Sequence, residues 1–494
     1  MGLAFIPVYI RYLGVEAYGL IGIFALLQAW MSLLDFGIAP VLSREMTRTR
    51  ISGRDDGTAR NLLRGAELTI GATAAVAALS TWAASAWLAA HWLRADRLPL
   101  STVAAAISIM GVVAAARLFE GVYRNAAMGQ ERQVFVNATA SLMSSVRGLG
   151  AVAVLAWLAP TIVAFFLWQL TVTLATCIWL GVAVHRGLPP KLSHRFSIGS
   201  LRRFRGFAGG MVGITMLSLL LTQIDKILLS RLLNLQEYGY YAFAAVVASA
   251  LYLAINPVTQ AFYPRFSATL AKGDADAVRN SYHQGAQLVA VFLIPSALLL
   301  AAFSREAIHL WTHNEQLVAQ AAPILTALCL GTLLNGFMWI PYQMQLAHGH
   351  TATALQVNLV AVSLVIPAIL WVAPRYGAAG AAWVWCALNA GYVVIGINVM
   401  YRRILREERW HWYWNDVALP LIVVASVVSV SRYCMPPTAR DLPLAAWLLA
   451  TFVLATFAAI LSAKEWRRRV VRWVTVASHR LRKAQRLGEK SSAP

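Results

Sequence analysis

The chain has 494 residues, of which 59% are hydrophobic and 13% charged, with a formal net charge of +21 and a mean hydropathy of +0.61. Ordinary soluble domains carry about 25% charged residues, so a soluble globular protein is excluded. Apolar runs of roughly 20 residues recur along the whole length, the pattern of membrane-spanning helices and not of a barrel, whose strands alternate over ~10 residues.

No cleavable leader pattern opens the chain. The first apolar run, ending near Ile10, would span only about 18 Å of a hydrocarbon core of about 30 Å, so a truncated first helix is expected. A polar turn, RYLGVEAYG, leads into a second span from Tyr18 to about Leu42, followed by a basic loop with Arg44, Arg48, Arg50, Arg54, Arg60 and Arg64. Further spans are predicted at about Ala66–Trp92, Ser101–Tyr123, Val134–Trp157 and Thr161–Val184. After a polar connector the rhythm resumes with Phe207–Leu233, Tyr238–Ala261, His283–Phe303, Val318–Tyr342, Thr351–Val372 and Gly377–Tyr401. Val417–Arg432 and Leu442–Ser462 precede a basic tail.

The predicted fold is therefore all-α, a polytopic membrane protein of about fourteen transmembrane helices. Its expected domains are a six-helix bundle over 1–184, a basic connector over 185–206, a second bundle over 207–401, two further helices over 402–462 and a basic tail over 463–494. With the N-terminus inside, most of the 42 Lys and Arg residues fall on the cytoplasmic side, as the positive-inside rule demands. Charge sorted by loop side excludes nucleic acid as a partner and places both termini in the cytoplasm.

An internal repeat supports two bundles. Arg11–Gly19 reads RYLGVEAYG and Arg231–Gly239 reads RLLNLQEYG, and the same offset of 220 carries Ala127–Gly129 onto Ala347–Gly349. Six helices separate the copies, so the repeats are parallel, and a substrate path is expected between them.

Candidate site residues follow from charges placed where lipid would otherwise be. Arg117, Glu120 and Arg124 are spaced i, i+3, i+7 and share one helix face, while Arg147 lies deep in the apolar run Val134–Trp157. A guanidinium at that depth costs roughly 3 kcal/mol on insertion scales, so it should face protein or trapped water. The repeat maps these four positions onto Phe337, Ile340, Met344 and Pro367; the second bundle keeps the fold and drops the charges. A cationic cavity that binds substrate is the functional reading, and an Arg147–Glu120 ion pair is the structural alternative. Asp225, Lys226 and Asp35 are candidates for a coupling or second-bundle site. Asp225 and Lys226, adjacent on a helix, need not pair, and Asp35 sits toward a helix end. Gln223, Asn137 and Asn335 suit helix–helix hydrogen bonds better than sugar hydroxyls. Glycines 206, 209, 210 and 213 have close-packing spacing, and Trp410, Trp412, Tyr413 and Trp414 read as an interfacial aromatic belt.

No catalytic residues and no metal site are expected. The four cysteines lack ligand spacing, His348 and His350 lack further ligands, and nucleotide, zinc-protease and nucleophile-elbow motifs are absent.

The stretch Arg11–Arg48, RYLGVEAYGLIGIFALLQAWMSLLDFGIAPVLSREMTR, resembles the opening of bacterial polysaccharide (O-antigen type) flippases of the multidrug/oligosaccharidyl-lipid/polysaccharide exporter superfamily. QIDKILLSRLLNLQEYGYYAFA and YGAAGAAWVW resemble that family's second-half opening and twelfth-helix entry. The resemblance runs from Ile10 to about Tyr401. It implies a flippase, not an enzyme, that moves polyprenyl-pyrophosphate-linked oligosaccharide across the bacterial cytoplasmic membrane by alternating access. No cofactor beyond a coupling cation, H+ or Na+, is implied. Membrane lipid, the lipid-linked glycan and the polymerase and chain-length proteins of polysaccharide assembly are the implied partners. A multidrug exporter of the same superfamily, or a polysaccharide polymerase or ligase, is the alternative.

Overall fold

A backbone surrounded by lipid must hydrogen-bond within its own segment, and the described residues do so as helices. The computed structural model describes residues 2–35, 37–52, 58–188, 216–217, 219–349, 351–436 and 441–468, and among these no strand is present. Its helices are α1 (Ile6–Met31), α2 (Ile38–Ser52), α3 (Thr58–Trp87), α4 (Leu100–Gly129), α5 (Gln133–Ala153) and α6 (Ile162–Arg186). After α7 (219–232) come α8 (Leu235–Ser249), α9 (Leu251–Ala271), α10 (Ala275–Ala302), α11 (Ser304–Thr312), α12 (Glu315–Phe337) and α13 (Trp339–Ala347). Then follow α14 (Thr351–Gly391), α15 (Ile397–Tyr401), α16 (Arg409–His411), α17 (Leu419–Cys434) and α18 (Asp441–Ser462).

Eleven helical segments among the described residues are long and apolar enough to cross a membrane, and the chain is a multi-pass membrane protein. They account for fourteen predicted spans in a simple way. Gly2–Asp35 joins the first two spans and Gln356–Tyr401 joins the eleventh and twelfth, while the start of the seventh, 207–215, lies outside the described residues, which leaves α7 too short to count. Each joined segment breaks at a glycine with positive φ, Gly14 (80°) and Gly377 (61°), a conformation that costs a residue with a Cβ. The second span also ends sooner than expected. The chain turns at Ser32–Asp35 and Gly37, and Arg44 and Arg48 lie on helix α2, not on a loop.

The chain packs as two compact units, Met1–Phe243 with Asn358–Ala381, and Ala244–Val357 with Ala382–Pro494. In the first unit α4 is the central helix, packed against α3, α6, α2 and α1. In the second, α10 holds that place among α9, α12, α17 and α18.

Within the first unit the repeated motif has a visible job. A Cβ on Gly19 would run into the carbonyl oxygen of Leu235, and a Cβ on Gly239 into that of Val15. Those are the same two contacts exchanged through the offset of 220, so α1 and α8 cross at paired glycines. Tyr18 and Tyr238, equivalent residues, are both buried there. The turns are pinned differently in the two copies. Glu16 accepts backbone N–H bonds from Asp96, Arg97 and Leu98 at 2.7 to 3.4 Å, whereas Asn234 caps α8 through Glu237 N at 2.8 Å.

In the second unit the expected aromatic belt is only partly a belt. Trp410 and Trp414 are exposed, but Trp412 is 1% exposed, its ring 6.3 Å from that of Tyr401. Asn335 does serve helix–helix bonding, accepting from Tyr252 at 2.8 Å and donating to Asn389 at 2.8 Å. The glycines at 206–213, His350 and most of the connector and tail lie outside the described residues.

Candidate functional site

Arg117, Glu120 and Arg147 come together in the first unit, on α4 and α5. Arg147 Nη2 lies 3.5 Å from Glu120 Oε2, with both side chains only about one-fifth to one-quarter exposed (21% and 24%). Arg117 places its guanidinium 5.5 Å over the Phe24 ring of α1, a cation–π contact that offsets part of the cost of its burial. Arg147 and Glu120 are near enough for their charges to act on Arg117. Two cations and one anion leave the cluster with one net positive charge.

Local sequence explains how α5 brings an arginine here. Gly148 and Gly150 flank it; the Phe5 ring lies against Gly148 and the Trp168 ring against Gly150. Aromatic residues of neighbouring segments thus fit where a Cβ would block them, which lets α5 pack closely beside Arg147.

What distinguishes the site is its unfilled hydrogen-bonding capacity. Arg117 Nε, Arg147 Nε, Trp168 Nε1, Gln28 Nε2 and Trp30 Nε1 are buried N–H groups without a hydrogen-bond partner, while Arg147 Nη2 and Glu120 Oε2 face only each other, at 3.5 Å. Gln28 lies one turn beyond Phe24 on α1, on the face that meets Arg117. Buried donors are normally satisfied, and each orphan costs about 1–3 kcal/mol. A group rich in acceptors and carrying negative charge would satisfy these donors. Farther along α1 and α4, about two turns from Arg117 on α4, lies an apolar cavity of about 330 Å³ lined by Ile23, Leu27, Met110 and Ile227 among others.

The remaining candidates separate from this cluster. Arg124, on the same face of α4, is exposed and forms no ion pair among the described residues. Asp35 accepts the Ala39 backbone N–H at 3.2 Å, the bond of a helix cap at the start of α2. Asp225 does pair with its neighbour. Lys226 Nζ sits 3.4 Å from Asp225 Oδ1, because the long lysine stem can fold back, and Tyr241 donates to Asp225 Oδ2 at 2.6 Å. Asn137 is exposed and Gln223 half-buried.

Sequence reasoning missed a second cluster, in the second unit. His283 of α10 is buried between two carboxylates, Nδ1 at 2.5 Å from Asp416 and Nε2 at 3.0 Å from Glu408. Arg279 and Gln287, one turn to either side, bind Glu408 at 2.6 Å and Asp416 at 2.8 Å. The available signal was the i, i+4, i+8 spacing of Arg279, His283 and Gln287 at the mouth of an apolar run.

The all-helical fold that holds this partly buried cationic cluster is shared by solved lipid flippases and multidrug exporters. The lipid II flippase MurJ, in an inward closed conformation, superposes with a TM-score of 0.68 at 13% identity, over 95% of this chain and 97% of that one. A multidrug resistance MATE family transporter, inward-facing, gives 0.67 at 13% identity over 82% and 94%, and the MATE multidrug transporter DinF-BH gives 0.55 at 14% over 80% and 90%. Identities this low establish the fold alone. No curated protein matches the sequence. The model of the polysaccharide biosynthesis protein family matches residues 8–315, more than half of the chain, and the chain belongs to that family.

Proposed function

We propose that the protein is a flippase for polyprenyl-pyrophosphate-linked oligosaccharide, moving it from the cytoplasmic to the outer leaflet of a bacterial cytoplasmic membrane for surface polysaccharide assembly. The observation that carries this is the pair of guanidinium groups, Arg117 and Arg147, that hold buried N–H positions without a partner in a cluster of net positive charge. Guanidinium forks match phosphate oxygens in geometry and charge. Indole and amide N–H groups beside them suit sugar oxygens. The apolar cavity suits the first part of a prenyl chain. Arg117 and Arg147 thus bind the pyrophosphate, Glu120 orients Arg147, and Arg124 attracts the anion from the surface. The expected mechanism is alternating access between the two repeats, driven by H+ or Na+, with N- and C-termini in the cytoplasm. Asp225 and Lys226 are the second-bundle candidates for coupling.

The MATE-like fold accommodates a multidrug exporter equally well, but a donor-rich, positive site disfavours cationic drugs. Both readings are tested together in proteoliposomes. Lipid-linked glycan should become accessible on the far leaflet at unchanged glycan length, and a cationic dye should not be transported. Dye export without glycan exposure would overturn the proposal, and lengthened glycan would indicate a polymerase.

A further inference from the structure

The buried cluster around His283 has a composition that helix packing alone does not require. Two carboxylates, Asp416 (0% exposed) and Glu408 (9%), sit in the interior of the second unit with one guanidinium, Arg279, 2.6 Å from Glu408. Buried charges are paired or coordinate metals; beside Arg279, the second positive charge must come from His283 as an imidazolium between the two carboxylates or from a bound cation. Two imidazole nitrogens converge on one carboxylate oxygen. His283 Nε2 is 3.0 Å and His411 Nδ1 3.8 Å from Glu408 Oε2, and ligand atoms of His283, His411 and Asp416 all lie within 4.8 Å of one another. Ligands with bonds of about 2.1 Å to a tetrahedral cation stand roughly 3.4 Å apart, a value the two distances bracket.

We propose that His283, His411 and Glu408 bind a divalent first-row transition cation of the zinc type, with Asp416 as the group that orients His283. Asp416 engages Nδ1 of His283 at 2.5 Å, which leaves Nε2 turned to the cation, the carboxylate–histidine–metal relay seen around bound zinc. Gln287 fixes Asp416 in turn at 2.8 Å. Two imidazoles and a carboxylate favour zinc, cobalt or nickel over magnesium or calcium. The backbone cooperates: Trp412–Ala418 is π-helical, a local widening common at functional sites. It brings Asp416, five residues after His411, round toward the side of His283. His411, with 42% of its side chain exposed, is the route by which a cation enters. The bound ion would clamp the segment Arg406–Ala418 to α10.

The test uses full-length protein in detergent, stripped with chelator and titrated with Zn2+, with Co2+ as the spectroscopic probe. Wild type should bind one ion per chain, show tetrahedral cobalt absorption and gain thermal stability with zinc. His283→Ala and His411→Ala should each weaken binding by about 100-fold or more, and Asp416→Asn by about 10–100-fold. His411→Ala is the decisive variant, because an exposed ring can be removed without loss of the core. Wild type that takes up no stoichiometric ion would overturn the site. So would His411→Ala protein that binds zinc with undiminished affinity or is stabilised by it as before.

Discussion

Replacing Arg147 by alanine separates a substrate ligand from a structural ion pair. In the structure its guanidinium has one partner, Glu120, 3.5 Å from Nη2, and its buried Nε has none. A charge-assisted hydrogen bond is worth about 1.5–3 kcal/mol, so loss of its contacts to a pyrophosphate should weaken substrate binding by about 3 kcal/mol, roughly 100-fold. Stability should barely move. Alanine removes an arginine costing roughly 3 kcal/mol at membrane depth and with it an attraction for Glu120 of similar order, about 4 kcal/mol at an effective dielectric near 20, a net change of about 1 kcal/mol. The assay is glycan exposure in proteoliposomes, read beside membrane abundance and Tm, for Arg147→Ala, Glu120→Ala and the double variant. If Arg147 binds substrate, the double variant stays inactive although it removes the stranded acid. If the pair is structural, Arg147→Ala alone loses abundance and the double variant regains both abundance and flipping. That recovery, or normal flipping by Arg147→Ala, would refute the assignment.

Asp35→Asn should leave stability within a few tenths of a kcal/mol and flipping with unchanged ion dependence, because asparagine caps a helix as well as aspartate does; altered ion dependence would make Asp35 a coupling residue after all. Gly239→Ala drives a Cβ into the Val15 carbonyl and should cost about 1–3 kcal/mol, seen as a lower Tm, whereas an unchanged Tm would mean that the α1–α8 crossing is loose. Cys434, exposed at the C-terminal end of α17, should react in intact cells with a membrane-impermeant maleimide while the buried Cys329 and Cys386 do not. Labelling of Cys434 only after lysis would invert the proposed topology.

How much of this was legible in the sequence depends on how local the cause is. Spans were legible because the bilayer imposes length and hydropathy on each segment separately. Their breaks at Gly14 and Gly377 were less so, since a glycine inside an apolar run is compatible with continuing or ending a helix. The Arg147–Glu120 pairing was foreseeable as one of two readings, because both charges stand out against an apolar background. The donors around it were not. Trp168, Trp30 and Gln28 read as ordinary membrane-helix residues, and only packing shows that their N–H groups lack acceptors. The His283 cluster failed for a further reason, a change of period. At 100° per residue His411 and Asp416 lie about 140° apart, so helical spacing assigns them to different faces. The π-helical turn at Trp412–Ala418 reduces that separation and also turns Trp412 into the core, where a belt of aromatics was expected. Both misreadings have one cause: a wider turn re-aims side chains that 3.6-residue counting had already distributed. Since such a turn costs backbone hydrogen-bond geometry, its persistence at this point is itself an argument that the groups it gathers are used.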